Sequence, residues 1–190
     1  MRINSNCSVL QKHKDKKSIP SLVDVLNLEV GEEAALSSNN ETLLHSFLRK
    51  KFTNPSFVVK LLELGYKVDS LDNYNQTPLY YAIRTRSVEI CSVLIENGAN
   101  VNHKDFTGST PLHAAAAVGS IDICRLLVHG GAELNIENDF EATPLKIACE
   151  EANLKCARYL IDMGSTFNDD KKWLYGGTNV LYKNGKIFHG

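Results

Sequence analysis

Along the middle of this chain, short apolar stretches with helical spacing come in pairs, and each pair is closed by glycine. Residues 110–131 show the unit most completely. Thr110 is placed to cap a helix, and Pro111 suits the first helical position, where its missing N–H costs nothing. Leu112, Ala115 and Ala116 supply a narrow face of mostly small residues, which predicts a helix that lets its neighbours approach closely. Gly119 breaks that helix, and Ile121, Ile123, Cys124, Leu126 and Leu127 recur with helical spacing as the core of a second one. Gly130-Gly131 ends it, with one glycine in the left-handed conformation that closes many helices. The two ends of the chain follow other patterns. Leu22, Val23, Val25, Leu26 and Leu28 follow Ser18-Ile19-Pro20 in helical spacing, while Asn184-Gly185 between two short apolar runs predicts a hairpin.

The paired unit repeats. Thr77-Pro78-Leu79 returns as Thr110-Pro111-Leu112 and again as Thr143-Pro144-Leu145, a constant step of 33 in the numbering. Gly65, Gly98, Gly131 and Gly164 keep the same step, as do Asn102, Asn135 and Asn168. A period of this length marks a stacked helix-pair architecture. The unit resembles the ankyrin repeat, best in Asp105-Phe106-Thr107-Gly108-Ser109-Thr110-Pro111-Leu112-His113-Ala114-Ala115, and the resemblance covers residues 37–168. It implies an all-α solenoid of helix-turn-helix units with β-hairpin fingers, a binding module and not an enzyme. It also implies that His113 hydrogen-bonds the capping Thr110 and pins the turn. The organisation expected is a flexible basic tail (1–17), an N-terminal capping half-repeat (18–36), four repeats and a C-terminal cap or hairpin tail (171–190). The repeats, A to D, span 37–71, 72–104, 105–137 and 138–170.

Departures from the pattern locate the unusual turns. Repeat B has Asn75 at the finger glycine, Tyr80 for the His and Arg86 for the inter-helix glycine; repeat D has Glu141, Lys146 and Ala152 there. Asn accepts the left-handed conformation, whereas Glu and Arg do so less readily, so those turns are expected to be strained or locally different. Repeat A keeps Thr42, Leu44 and His45, has Leu43 in place of Pro, and carries a two-residue insertion within 50–55.

Composition narrows the function classes. A net charge of −1 gives no general reason to expect nucleic acid or membrane as partner. The charges are nonetheless segregated: residues 1–20 carry four more positive than negative groups, and residues 21–41 carry five acidic groups and no basic one. Lys12-His13-Lys14-Asp15-Lys16-Lys17 reads as a solvated tail, with a nuclear-import or acidic-partner patch as the sharper alternative. No apolar run reaches the length of a membrane span, and the N-terminus has no apolar core of a signal peptide. Five cysteines with no CxxC pair indicate neither a disulfide framework nor a zinc site. They are expected to be small buried hydrophobes in a reduced compartment, cytoplasmic or nuclear. No phosphate loop, nucleophile elbow or metal-binding histidine pair occurs, so neither a catalytic residue nor a cofactor is expected. The tail is too short to enclose an enzyme's pocket.

The expected function is therefore that of a non-catalytic interaction module, a scaffold, adaptor or inhibitor, monomeric alone, with another protein as partner. A second reading, a pathogen protein delivered into a host cell to mimic such a scaffold, rests on a compositional lean toward Asn and Lys. Two sets of residues are candidates for the contact. Tyr74, Thr107, Phe140 and Trp173 form a further ladder of the same step at the finger position, with Gln76, Phe106 and Asp139 beside it. Aromatic rings there suit a partner segment laid across the repeats. The inner-helix ends read Arg49-Lys50-Lys51, Arg84-Thr85-Arg86, Ala117-Val118 and Glu150-Glu151, which predicts a groove basic at repeats A and B and acidic at repeat D. Glu150 and Glu151 oppose the helix dipole, and a residue that breaks a local rule is a candidate for function.

Overall fold

The computed structural model of the protein describes residues 41–49, 54–166, 172–175, 178–183 and 186–189. The described residues hold eight helices: α1 (Leu43–Arg49), α2 (Pro55–Glu63), α3 (Pro78–Arg84), α4 (Val88–Glu96), α5 (Pro111–Val118), α6 (Ile121–His129), α7 (Pro144–Glu150) and α8 (Leu154–Asp162). Odd-numbered helices pack against one another as an inner layer, α1 to α3 to α5 to α7, and even-numbered ones form an outer layer in the same order. Among the described residues each repeat thus packs chiefly on its immediate neighbours, as in a solenoid. The basic tail, the front cap and residues 50–53 of the long connection in repeat A lie outside the described residues.

The core is a strip made by equivalent residues of successive repeats. Leu61, Leu94, Leu127 and Leu160 recur once per repeat on the outer helices and are fully buried, as are Leu79, Leu112 and Leu145 on the inner ones. Truncating such a leucine to alanine typically costs about 2–5 kcal/mol. Cys91, Cys124, Cys149 and Cys156 are free and buried in this strip. Burial pushes the Cys91 thiol up to about 12 and that of Cys149 to about 11, which keeps both protonated and inert. Cys124 on α6 faces Cys156 on α8, and the hydrogen bond between them together with burial holds the Cys124 thiol protonated.

Proline opens α2, α3, α5 and α7, and each helix pair ends at a left-handed glycine, with φ of +92° at Gly65, +87° at Gly98, +90° at Gly131 and +100° at Gly164. The substituted turns of repeats B and D do not rearrange. Asn75, Arg86, Glu141 and Ala152 keep φ of +57°, +58°, +53° and +64°, so they hold the left-handed conformation that glycine holds in repeat C. At Gly119 more than φ is at stake. A Cβ there would lie 2.2 Å from Asn153 Oδ1, because the Asn153 side chain donates to Ala116 O at 2.8 Å and Ala117 O at 2.9 Å and so caps α5 from the next repeat. Ser120 and Ser87 stand at the positions equivalent to Asn153, one and two repeats earlier.

Beyond α8 the chain forms a three-stranded antiparallel sheet, β1 (Lys172–Tyr175), β2 (Thr178–Lys183) and β3 (Lys186–His189), in that order. Lys183 pairs with Lys186 where β2 and β3 come together, and β1 lies beside α7; Asn184-Gly185, the expected turn, lies outside the described residues.

Candidate functional site

In repeats A and C a threonine and a histidine lock the turn to the next repeat. His113 Nε2 lies 2.9 Å from Ala142 O, and a carbonyl can only accept, so Nε2 carries the proton. Nδ1 then accepts from Thr110 N at 3.0 Å and from the Thr110 hydroxyl at 2.9 Å. Burial lowers the pKa of His113, consistent with a neutral ring whose second nitrogen faces donors. His45 repeats the arrangement with Thr42 and Gln76 O. In repeat B the hydroxyl of Tyr80 takes over the outward half of this task. It reaches Ser109 O, the carbonyl equivalent to those of Gln76 and Ala142, and lies 2.8 Å from His103 O. Tyr80 offers nothing back to its own cap, and the buried Thr77 hydroxyl has no partner. Both histidines and the tyrosine are therefore staples between repeats.

The same stapling builds the fingers. Asp105 N donates to Ser109 O and Gly108 N to Asp105 O, each at 3.0 Å, which closes a three-residue loop with a left-handed residue at its end. Asp105 Oδ1 accepts from Thr107 N and Ser109 N, at 2.9 and 3.1 Å, and so braces the loop from inside. Asp72 and Asn138 do the same for Tyr74 and Gln76, and for Phe140 and Ala142. This Asp/Asn ladder at 72, 105 and 138 was legible as one more set in the repeat step, but sequence reasoning passed over it in favour of the rings one or two positions on. The loops contain turns and no strand among the described residues, so the expected β-hairpin fingers are tight turns with single bonds on each side.

Adjacent tips are joined. Phe106 N donates to Tyr74 O at 3.1 Å, Asp139 N to Thr107 O at 2.9 Å, and Asn75 Nδ2 to Lys104 O at 2.7 Å. On this cross-bonded edge Tyr74, Phe106 and Phe140 project with 55%, 69% and 71% of their surface exposed. Thr107 and Asp139 are exposed between them, and the Thr107 hydroxyl donates to Asp105 Oδ1 at 2.7 Å. Two candidate residues fall elsewhere. Gln76 is buried, and its amide donates to Asp105 Oδ2 at 3.1 Å, so it joins one finger to the next. Trp173 lies in β1 opposite Val180 and not at a turn tip. The Thr-Pro that would start a further helix is replaced by Gly176-Gly177, and the chain pairs with itself in place of folding a further finger.

Along the inner helices the candidate charges sit at the C-terminal ends, while Lys146 lies in the first turn of α7. Arg84 closes α3 and Arg86 occupies the left-handed turn after it, both exposed; Glu150 closes α7 and Glu151 follows it, also exposed. Lys50 and Lys51 lie outside the described residues. Among the described residues no group of His, Cys, Asp and Glu could hold a metal ion, and no helix is long and apolar enough to cross a membrane.

The stacked pairs, the stapled turns and the projecting fingers define a repeat protein that presents one continuous edge and one inner groove. A family model of ankyrin repeats, in three copies, matches residues 12–105 and 102–171, so this chain belongs to the ankyrin-repeat family. The match begins well before repeat A and takes in residues 18–36. Comparison with curated proteins finds no match. Ankyrin repeats are in general protein–protein interaction modules and are typically non-catalytic.

Proposed function

We propose that this protein is a non-catalytic scaffold, adaptor or inhibitor that holds one protein partner along its finger tips, with the inner groove as a second contact. The observation that carries this reading is the row of three exposed rings, Tyr74, Phe106 and Phe140, on tips bonded to one another through the backbone. Large rings left in water at the tips of consecutive fingers, two at the equivalent position and Phe106 one residue before it, have no packing role to explain them. The bonded tips also keep them in line before a partner arrives, which lowers the entropy lost on binding. The partner segment is extended or helical, meeting basic groups beside repeats A and B and acidic groups beside repeat D. The protein acts as a monomer on a protein target, in the cytoplasm or nucleus, and neither nucleic acid nor membrane is its ligand.

The test starts from a partner captured with the full chain and identified by mass spectrometry, whose affinity is then measured against variants. Tyr74→Ala, Phe106→Ala and Phe140→Ala should each weaken binding about tenfold or more, as truncation of hot-spot rings does. The melting temperature should hardly change. Variants that lose several kcal/mol of stability and bind normally would make the rings packing residues and sink the reading.

A further inference from the structure

Between the tip of finger B and helices α1 and α3 lies a cleft of about 530 Å³, lined by Glu41, Arg49, Tyr74, Tyr81, Arg84 and Thr85. Its volume is that of a specific ligand site. The acid in its wall, Glu41, and the one behind Tyr81, Asp72, are already committed within the fold. Glu41 is 3% exposed and accepts from Arg49 Nε at 3.0 Å. Asp72, also buried, accepts the Tyr81 hydroxyl on Oδ2 at 2.7 Å, and on Oδ1 the backbone N–H groups of Tyr74 and Gln76, each at 2.8 Å. Neither acid pairs with Arg84.

Arg84 is exposed at the end of α3, and its guanidinium carbon stands 5.8 Å from the centroid of the Tyr81 ring. Among the described residues it makes no ion pair. A cation–π contact of this kind needs no N–H donor, so the forked N–H groups of Arg84 remain for a planar acceptor. The ring itself is fixed, because its hydroxyl is tied to Asp72 and it packs edge-to-face with the His45 ring, centroids 5.0 Å apart. Arg84 is thus a cation pre-positioned on a rigid platform, with an exposed aromatic, Tyr74, across the same cleft.

We propose that this cleft receives one carboxylate side chain, an Asp or Glu of the partner segment that runs along the aromatic tips, bound by the forked donors of Arg84. The proposal rests on the tip row being the docking line and adds the chemistry that sets where the segment starts. Charge decides between a carboxylate and a phosphate. Arg49 is paired with Glu41, Asp72 is taken up by hydroxyl and backbone donors, and of the two arginines that line the cleft only Arg84 makes no ion pair, so its single positive charge matches a single negative one. A phosphate brings close to a second negative charge against two buried acids, with no second free cation among those lining residues to answer it.

The experiment uses the full chain and three capped synthetic peptides of glycine and phenylalanine that differ only at the centre, where they carry glutamate, glutamine or phosphoserine. Binding is read from the NMR signals of the arginine side-chain Nε–H groups and of the Tyr74 amide. The glutamate peptide should shift the Arg84 Nε–H and Tyr74 signals saturably, and the glutamine peptide should bind about tenfold more weakly, the loss of one charge-assisted hydrogen bond. Arg84→Gln should erase the difference between those two peptides, and Arg84→Lys should restore part of it. Both variants should melt as the parent does, since the side chain is exposed. Equal binding of the glutamate and glutamine peptides would overturn the proposal, as would tighter binding of the phosphoserine peptide. If all three shift only the signals of the finger tips, the cleft fails while the aromatic row stands. If none shifts the tips while Arg84 responds to glutamate, the row fails and the cleft stands.

Discussion

Repeats B and C trace the same backbone with different chemistry at three positions. In repeat C, Gly108, His113 and Gly119 fill the finger turn, the staple and the inter-helix turn; in repeat B, Asn75, Tyr80 and Arg86 fill them. The left-handed turns survive in both, at φ of +70° and +57° in the fingers and +71° and +58° between the helices. What these positions require is therefore a backbone state and a bond to the next repeat's carbonyl. Glycine and histidine are the least strained and most complete answers, and asparagine, arginine and tyrosine are workable ones. Completeness is where the two repeats part. His113 serves three partners with two nitrogens, while Tyr80 serves the far side only and leaves the Thr77 hydroxyl buried without a partner.

The largest separation of the two repeats should come from deleting their staples. His113→Ala strands Thr110 N and the Thr110 hydroxyl in a buried site, at about 1–3 kcal/mol each, and removes one of two bonds to Ala142 O, which keeps the Asn138 N–H. Tyr80→Phe keeps the ring and loses only the bond to the neighbouring carbonyls, so it should cost about 1–3 kcal/mol in total. Urea denaturation of the two variants gives the comparison directly, and a Tyr80→Phe loss equal to that of His113→Ala would break it.

A somewhat smaller effect separates the inter-helix turns. Gly119→Ala adds about 1–2 kcal/mol of left-handed strain and also displaces Asn153 from its cap on α5. In an Asn153→Ala background the extra penalty should vanish and the strain alone remain, which a double-mutant cycle measures. Undiminished cost in that background would mean that Asn153 is not what forces glycine there.

Ala152→Gly asks the same question from the other side. It relieves a φ of +64° in repeat D and should raise stability by about 1 kcal/mol or less, since glycine also loses more entropy on folding. A fall in the melting temperature would show that the turn is not strained.

The smallest effect is a pH dependence confined to the histidine staple. Burial lowers the folded-state pKa of His113, so the unfolded chain binds more protons than the folded one between the two values. The stability that His113 contributes is complete above its ordinary value of about 6.5 and falls as pH drops through that value toward the folded one. Melting temperatures taken between pH 8 and pH 5 should show this slope, and His113→Tyr, which copies repeat B, should flatten it. A slope unchanged in that variant would assign it to other groups.

The site was less legible than the fold. Rings at a fixed step in a turn announce themselves: Tyr74 and Phe140 stand exposed where the repeat ladder put them, and Phe106 stands exposed beside the ladder's Thr107. Trp173 carried the same signal and Gln76 lay beside it, yet both went elsewhere, Gln76 because its amide reaches the acid of the next finger and Trp173 because its segment pairs as a strand. Asp72 and Glu41 gave the opposite case. Nothing in their spacing announces that one tyrosine hydroxyl ties Asp72 beneath the groove while Arg49 holds Glu41, which leaves Arg84 as the cleft's uncommitted cation.

By itself the sequence determined the period, the helix pairs and the family, because capping threonine, first-turn proline and closing glycine act on their own few residues and the apolar ladders follow from helical geometry. Only the tertiary structure decided which side chains are consumed between repeats and which are left for a partner. That choice depends on groups about one repeat away in sequence and within hydrogen-bond reach in space, as for Gln76 with Asp105 and Asn153 with Ala116. A local pattern carries no record of such distances. The stack creates them only when one repeat settles on the next.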